Sequence, residues 1–559
     1  MTLSLVFLAA IAGFVIFSIA ERISHNRKSK QKIHEQWGKV PKNQYSPNDF
    51  KSIDCYFENN RHKDQRFLID DITWNDLDMN RVFSRINNTQ TDVGEEYLYY
   101  MMRELLFDQE TLSNRDYLIE YFRRNVQERI KLQMILSKLG KLRFLSIPDY
   151  ISGKINGMGK SGLYYKILAA ILFISPFIAA QFPWAIALIT VSMLFNIITY
   201  FKARDQIVGH LQSLGYIVNM LSTARRISTL NIKAISSYTN TLAQSTKSVK
   251  GISLNSFFTI FYTTENYVVE FFKVFFLGEP IAYHSIFKII DKHSQELETI
   301  YKTIGILDSA ISIASYRDSL DYFTTPNLKI GNNVEKNINF SELNHPLIEK
   351  PVSNTLKLSK TILVTGSNAS GKSTFLKSVA INAIFAQTIY TCLAREYSSS
   401  FFNIFSSMAL SDNLEAKESY YIVEIKSLKR IIEGLNDNIP CLCVVDEVLR
   451  GTNTIERISA SSEIINFMAN SNCICLCATH DIELAQILGS SVENYHFQEY
   501  FDDSTIKFDY KIYSGKSNTR NAIKLLKYLG YSEKIVTHAE QRAQLFTVNG
   551  CWNKIENTN

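Results

Sequence analysis

The chain has 559 residues, 46% of them hydrophobic and 12% aromatic, which is enough apolar material for three or four cored domains and excludes a disordered chain. Its formal net charge of +6 is modest for that length. Such a balance permits nucleic acid or anionic lipid as a partner without demanding either.

The first predicted element, Met1 to Ala20, has no charged side chain and the length of one bilayer-spanning helix. The next stretch, Glu21 to Lys42, carries seven Lys/Arg against two Glu, so residues 1–20 read as an anchor followed by a basic juxtamembrane segment, 21–67, on the cytoplasmic side. A cleavable signal peptide ending at Ser18-Ile-Ala20 is the alternative; the missing positive charge at the extreme N-terminus counts against it. Residues 68–160 read as helices with loops, and open on the acidic run Asp70 to Asp78. That run suits helix caps and turns, with Thr73 or Asn75 as the cap, rather than a metal site.

A second uncharged apolar block, Ile167 to Phe201, is broken in its middle by Gln181-Phe182-Pro183-Trp184. Two short spans joined by that turn predict a transmembrane hairpin over 161–202, and Lys160, Lys166, Lys202 and Arg204 put both outer ends in the cytoplasm. A buried helical hairpin of a soluble core is the competing expectation. Residues 203–329 read as amphipathic helices broken near Asn231, Gly251 and Gly278-Glu279-Pro280. Phe257 to Phe276 is aromatic-rich but interrupted by Glu265, Glu270 and Lys273, which suits a core helix and not a further span. A polar linker, Thr324 to Glu342, leads into a domain over 330–545, and 546–559 form a tail.

That domain holds the chemistry. Gly366-Ser367-Asn368-Ala369-Ser370-Gly371-Lys372-Ser373 matches G-x-x-x-x-G-K-[ST] at every required position, between a β-branched run, Thr361 to Thr365, and an apolar helical pattern from Thr374 to Gln387. A strand, a glycine-rich loop and a helix N-terminus in that order cradle phosphates with backbone N–H groups. Lys372 would reach the β- and γ-phosphates of ATP, and Ser373 would ligate Mg2+. Further on, an apolar run ends in Asp446-Glu447, where Asp446 would hold Mg2+ and Glu447 would act as general base on the attacking water. The next strand-like run, Cys473 to Ala478, ends in Thr479-His480, and a histidine there suits a sensor of the γ-phosphate or its water. Cys441, Cys443, Cys473, Cys475 and Cys477 alternate at period two along these runs and read as reduced, buried hydrophobes.

In identity and order, these motifs resemble the MutS mismatch-repair ATPase domain: Gly366 to Thr374, Asp412-Asn413-Leu414 with Glu418-Ser419, Asp446 to Thr454, and Ala478-Thr479-His480. Asn344-His345-Pro346-Leu347 resembles the segment that opens it; Leu68 to Leu105, including Gly94-Glu95, and Ile304 to Ala314 resemble the family's helical core and lever. The resemblance implies an α/β P-loop NTPase domain of the ABC/MutS type, preceded by an all-α core and lever interrupted by the membrane hairpin. It implies a homodimer in which each ATP lies between one subunit's phosphate loop and the other's Ser419, with Arg450 to Asn453 at the same interface. Catalytic roles fall to Glu447, His480 and Lys372, nucleotide binding to Gly366 through Thr374 with Ser419, and Mg2+ to Ser373 and Asp446.

The chain also departs from that pattern. No Phe-x-Glu wedge precedes residue 68, Phe340-Ser-Glu342 and Phe497-Gln-Glu499 fall in the ATPase region as structural residues, and Val352 stands near the position where relatives stack an aromatic on adenine. Mismatch reading therefore does not transfer. The expectation is a multi-pass protein of a bacterial-type cell membrane with its ATPase domain in the cytoplasm, moving a helical lever, with membrane lipid and DNA as candidate partners. Contact with DNA would be backbone-type, through residues such as Lys247, Lys250 and Arg225-Arg226. A transporter-type or partner-remodelling ATPase without DNA binding is the alternative.

Overall fold

The computed structural model describes residues 20–21, 23–24, 26–42, 44–62, 67–155, 161–249, 267–329, 335–367, 370–408, 420–502, 505–516, 522–550 and 552. The expected anchor over 1–20, the break at Gly251 and the segment 412–419 lie outside this set, apart from residue 20. The chain divides into two units. One comprises residues up to Leu68 with Phe83–Glu104 and Glu110–Asp321; the other comprises Ile69–Val82, Leu105–Gln109 and everything from Tyr322.

The first unit is helical. Its centre is the helix Ser294–Asp318 laid along the helix Asp92–Arg103. Two glycines permit that approach: a Cβ on Gly94 would meet Asp308 Oδ2 at 2.2 Å, and one on Gly305 would meet Tyr97 Cβ at 2.5 Å. The buried Asp308 carboxylate then accepts from the backbone N–H groups of Gln90 and Thr91 and from the Thr91 hydroxyl, while Thr91 caps the helix by accepting from Gly94 N–H. Burial raises the Asp308 carboxyl to about 6 against those bonds. Arg317 on the same long helix is fully buried and pairs with Asp116 at 2.7 Å and Glu120 at 2.9 Å, as a buried cation must.

The apolar block forms two antiparallel helices, Gly162–Gln181 and Ile186–Ser228, joined by a short 3-10 turn, Pro183–Ala185. Both are long and apolar enough to cross a membrane, and only 17% of each apolar window is buried. Phe173, Phe177, Trp184, Val191 and Leu194 all stand outward. The second helix overruns the expected end at residue 202. It continues as one 43-residue helix because Tyr200, Ala203, Ile207, Leu211, Leu214, Val218 and Leu221 make an unbroken buried stripe at helical spacing. Of the aromatic-rich segment, the helix Tyr267–Phe275 is described, and it packs against this second helix: the Asn196 side-chain amide donates to the Phe275 carbonyl at 2.8 Å.

The second unit holds two sheets. The larger has strand order β10-β9-β4-β8-β7-β6, formed by β4 (Ile362–Thr365), β6 (Asn403–Ser407), β7 (Cys441–Asp446), β8 (Cys473–Thr479), β9 (Glu493–Asp502) and β10 (Thr505–Ser514). All pairs are parallel except β9 with β10, and β4, β7 and β8 are buried almost throughout, which explains their uninterrupted apolar sequences. The expected cysteine strands are β7 and β8: Cys441 lies opposite Cys473 and Cys443 opposite Cys475, all free and buried. The smaller sheet has the order β1-β5-β2-β3, from β1 (Asn327–Lys329), β2 (Ile338–Leu343), β3 (Asn354–Leu358) and β5 (Glu396–Ser400).

Thr324 to Glu342 is therefore not a linker. It supplies β1 and most of β2, whose alternating buried pattern in Ile-Asn-Phe-Ser-Glu-Leu is a strand signal hidden by its polar residues. The acidic run also belongs to this unit. Asp70, not Thr73 or Asn75, caps the helix Asp71–Asp76 by accepting from Thr73 N–H; Asp70 also pairs with Arg430, and Asp76 accepts from the Ser406 hydroxyl at 2.7 Å and from Met408 N–H at 2.9 Å. The helical core expected over 68–160 is thus shared between the two units, because these acids are spent on β6 and the helix Tyr420–Gly434.

Candidate functional site

Strand β4 ends at Thr365, and the chain turns through Gly366 with φ of +150° into a loop that closes on Gly371 with φ of +104°. Both positions need glycine. A Cβ at Gly366 would sit 3.0 Å from the Phe497 carbonyl, and one at Gly371 would sit 3.1 Å from the Tyr510 ring. The helix Lys372–Gln387 starts at once and is buried nearly from end to end, so its N-terminus is held rigidly at the loop. Of the expected nucleotide residues, Ser367, Ser370, Lys372, Ser373 and Thr374 gather here with the two glycines, whereas Asn368, Ala369 and Ser419 lie outside the described residues.

Lys372 is almost fully buried, and its ammonium donates to the Gly366 and Ser367 carbonyls at 2.9 and 2.8 Å. Burial lowers its pKa, and the charges of Asp446 and Glu447 oppose that. The Ser373 hydroxyl donates to Asp446 Oδ2 at 2.5 Å, which brings the expected metal pair together at the end of β7. Serine hydroxyl and carboxylate oxygens are the hard donors that Mg2+ selects, so the donor set fits the ion.

Glu447 follows β7 with φ of +56°, in the left-handed region that a side chain rarely adopts. That turn aims its carboxylate back across the strand ends. Glu447 Oε1 lies 2.9 Å from His480 Nε2, and Oε2 lies 2.6 Å from Arg450 Nε. Burial pushes its carboxyl up, but the bond to His480 and the charges of Arg450, His480 and Lys372 outweigh it and hold the carboxyl below its ordinary value. His480, at the end of β8, also stands 3.4 Å from Lys372 Nζ. The three expected catalytic residues are thus in one contact network.

Lys372, Ser373, Asp446, Glu447 and Arg450 line a cavity of about 550 Å3, together with Ile348, Pro351, Val352 and Tyr510. Sequence reasoning missed Tyr510. It lies at a bulge of β10, where register against β9 shifts between Phe508 and Ile512, and its φ of +56° with an Asn354 bond to its carbonyl at 3.1 Å presents the ring to the cavity. His345, from the segment that opens the domain, lines the same cavity, accepting at Nδ1 from Leu347 N–H at 3.2 Å. Phe340 and Phe497, expected to be structural, are buried on β2 and β9, and the Ser367 hydroxyl donates to Glu499.

Residues 362–547, beginning on β4, match the family described as MutS domain V. The chain is similar to the human MutS protein homolog 4, 29% identical over 262 residues, which are 43% of this chain and 27% of that protein. It is equally similar, 29% over 280 residues, to the DNA mismatch repair protein MutS of Caldicellulosiruptor saccharolyticus, covering 47% of this chain and 32% of that one. The same protein of Clostridium tetani is 29% identical over 273 residues, 46% of this chain and 30% of the relative. The chain thus spans less than a third of the length of each relative.

Proposed function

We propose, from the match of residues 362–547 to MutS domain V, that the second unit binds and hydrolyses ATP in the cavity beside the phosphate loop and Tyr510, and that the protein does so as a membrane-anchored dimer. The observation that carries this reading is the convergence of Lys372, Ser373, Asp446 and Glu447, from one helix and the end of a parallel strand, on a single cavity, with His480 at the end of the neighbouring strand in contact with Glu447 and Lys372.

The triphosphate lies along the helix N-terminus, where Lys372 exchanges its two carbonyl partners for phosphate oxygens. Mg2+ held by Ser373 and Asp446 would neutralise charge on the β- and γ-oxygens. The base is Glu447, and both of its oxygens are engaged in the structure. Each oxygen keeps a further lone pair, so a water can donate to the carboxylate and give up a proton there while His480 and Arg450 hold it oriented. Val352, Pro351 and Ile348 are flat apolar walls, and Tyr510 supplies the aromatic face for the base that Val352 cannot.

Membrane anchoring is supported by the outward apolar faces of Gly162–Gln181 and Ile186–Ser228, since 20 helical residues span about 30 Å, the hydrocarbon thickness. A hairpin so little covered by protein fits lipid better than a soluble core. The cavity and the ATPase domain then lie on the cytoplasmic side. Ser419 completes the neighbour's site across the dimer, and any DNA is held through its phosphates.

The test is ATP turnover and nucleotide affinity of the detergent-solubilised protein, with and without duplex DNA. Glu447→Gln should bind ATP at near wild-type affinity and hydrolyse it 100-fold or more slowly, on the order of the loss of a general base; Lys372→Ala should weaken binding itself. Wild-type turnover in Glu447→Gln would remove the proposed base.

A further inference from the structure

The loop that presents Glu447 is held by a carboxylate that none of the expected site residues includes. Glu424 lies on the helix Tyr420–Gly434, which begins one residue after Ser419, and its side chain is 2% exposed. Its Oε1 accepts from Leu449 N–H, and its Oε2 accepts from Arg450 N–H at 3.1 Å. Burial raises the Glu424 carboxyl pKa while those two N–H groups pull the other way.

The backbone it grips is an unusual one. Glu447 and Leu449 both have positive φ, +56° and +58°, a conformation that a leucine adopts only when its surroundings impose it. Two further contacts close the junction. A Cβ on Gly451 would meet Tyr421 Cβ at 2.8 Å, so the loop lies directly on the first turn of the Glu424 helix, and the Ser461 hydroxyl donates to the Val448 carbonyl at 3.2 Å. The backbone of residues 447–451 is therefore fixed by the helix, while the Arg450 guanidinium that pairs with Glu447 remains on a long, partly exposed side chain.

We propose that Glu424 is a positioning residue for hydrolysis: by accepting from the backbone N–H groups of Leu449 and Arg450 it fixes the loop that carries Glu447, and with it the place of the base. This rests on Glu447 being the base.

Glu424→Gln keeps the size of the side chain but turns an N–H group toward Arg450 N–H, which breaks the grip on one side. In the full-length protein it should lower kcat at least tenfold, with ATP affinity within twofold and the melting temperature of the ATPase unit within a few degrees of wild type. The double variant Glu424→Gln/Glu447→Gln should be no slower than Glu447→Gln alone, because Glu424 acts through Glu447. Gly451→Ala, which pushes the same junction apart from the loop side, should reproduce the kcat loss and serves if Glu424→Gln does not fold. Wild-type kcat in Glu424→Gln, alongside a slow Glu447→Gln, would overturn the positioning role and leave the base intact. Multiplicative losses in the double variant, or equal losses of affinity and melting temperature, would make Glu424 merely structural. A Glu447→Gln protein at the wild-type rate would remove the base and this inference with it.

Discussion

At the residue scale the charged groups of the site already contact one another or the loop. Lys372 sits on two loop carbonyls and Glu447 between His480 and Arg450, so on the proposed reading Lys372 gives up carbonyl contacts to reach a phosphate. His345 shows how strongly the cavity wall selects charge state. Burial, reinforced by Lys377 and Arg81 and opposed by Asp78, lowers its pKa from 6.5 to about 4, and its Nδ1 lone pair is already used by Leu347 N–H. The folded state thus takes up this proton later than the unfolded chain does. Stability is unaffected above about pH 6.5, falls as pH drops from there toward 4, and levels off below it, by about 3 kcal/mol in all. Urea midpoints of wild type and His345→Gln at pH 7.5 and 5 check this: the wild type should lose more, and equal losses would exclude His345 as the source. Lys372, Ser373, Asp446, Glu447 and His480 were legible in the chain because each belongs to a short motif with local geometry. Tyr510 and Glu424 were not, since a bulge and a buried carboxylate at unrelated positions acquire meaning only from what folds against them.

At the element scale, the helical unit depends on backbones meeting where side chains are absent. Gly305 lies against Tyr97 and Gly94 against Asp308, so the helices Ser294–Asp318 and Asp92–Arg103 pack closer than any alanine would allow. Gly305→Ala should cost about 1–3 kcal/mol or more through overpacking, despite the better helix propensity of alanine. Gly209, on the long helix Ile186–Ser228, has open space where its Cβ would be, and Gly209→Ala should be neutral or gain up to about 1 kcal/mol. Chemical denaturation of the two variants under identical detergent conditions separates these outcomes. If both behave alike, the close approach carries no energetic weight. The same elements show where reading by composition failed: β2 looked like a linker because half its residues are polar, and the second hairpin helix seemed to stop at Phe201 because charge appears there while the buried stripe runs on.

At the scale of the molecule, the proposed membrane hairpin and ATPase unit would need different solvents for one chain. Deleting residues 1–20 should leave the protein in the carbonate-washed membrane fraction, because the outward faces of Gly162–Gln181 and Ile186–Ser228 anchor it independently. Replacing residues 163–198 by a soluble linker as well should release it. Full release by the first deletion alone would assign the hairpin to a protein core.

The sequence by itself determined the parts of this protein whose physics is local. A phosphate loop between a buried strand and a helix, two carboxylates closing an apolar strand, and uncharged helices long enough for a bilayer are each written in fewer than about 25 consecutive residues. Only the tertiary structure decided which oxygens of Glu447 are occupied, that an acidic run at 70–76 serves β6 rather than the helical core, and that Tyr510, His345 and Val352 line one cavity. Apart from the Arg450 contact to Glu447, those facts rest on residues well separated in the chain, and a chain carries no local signal of a neighbour that only folding brings to it.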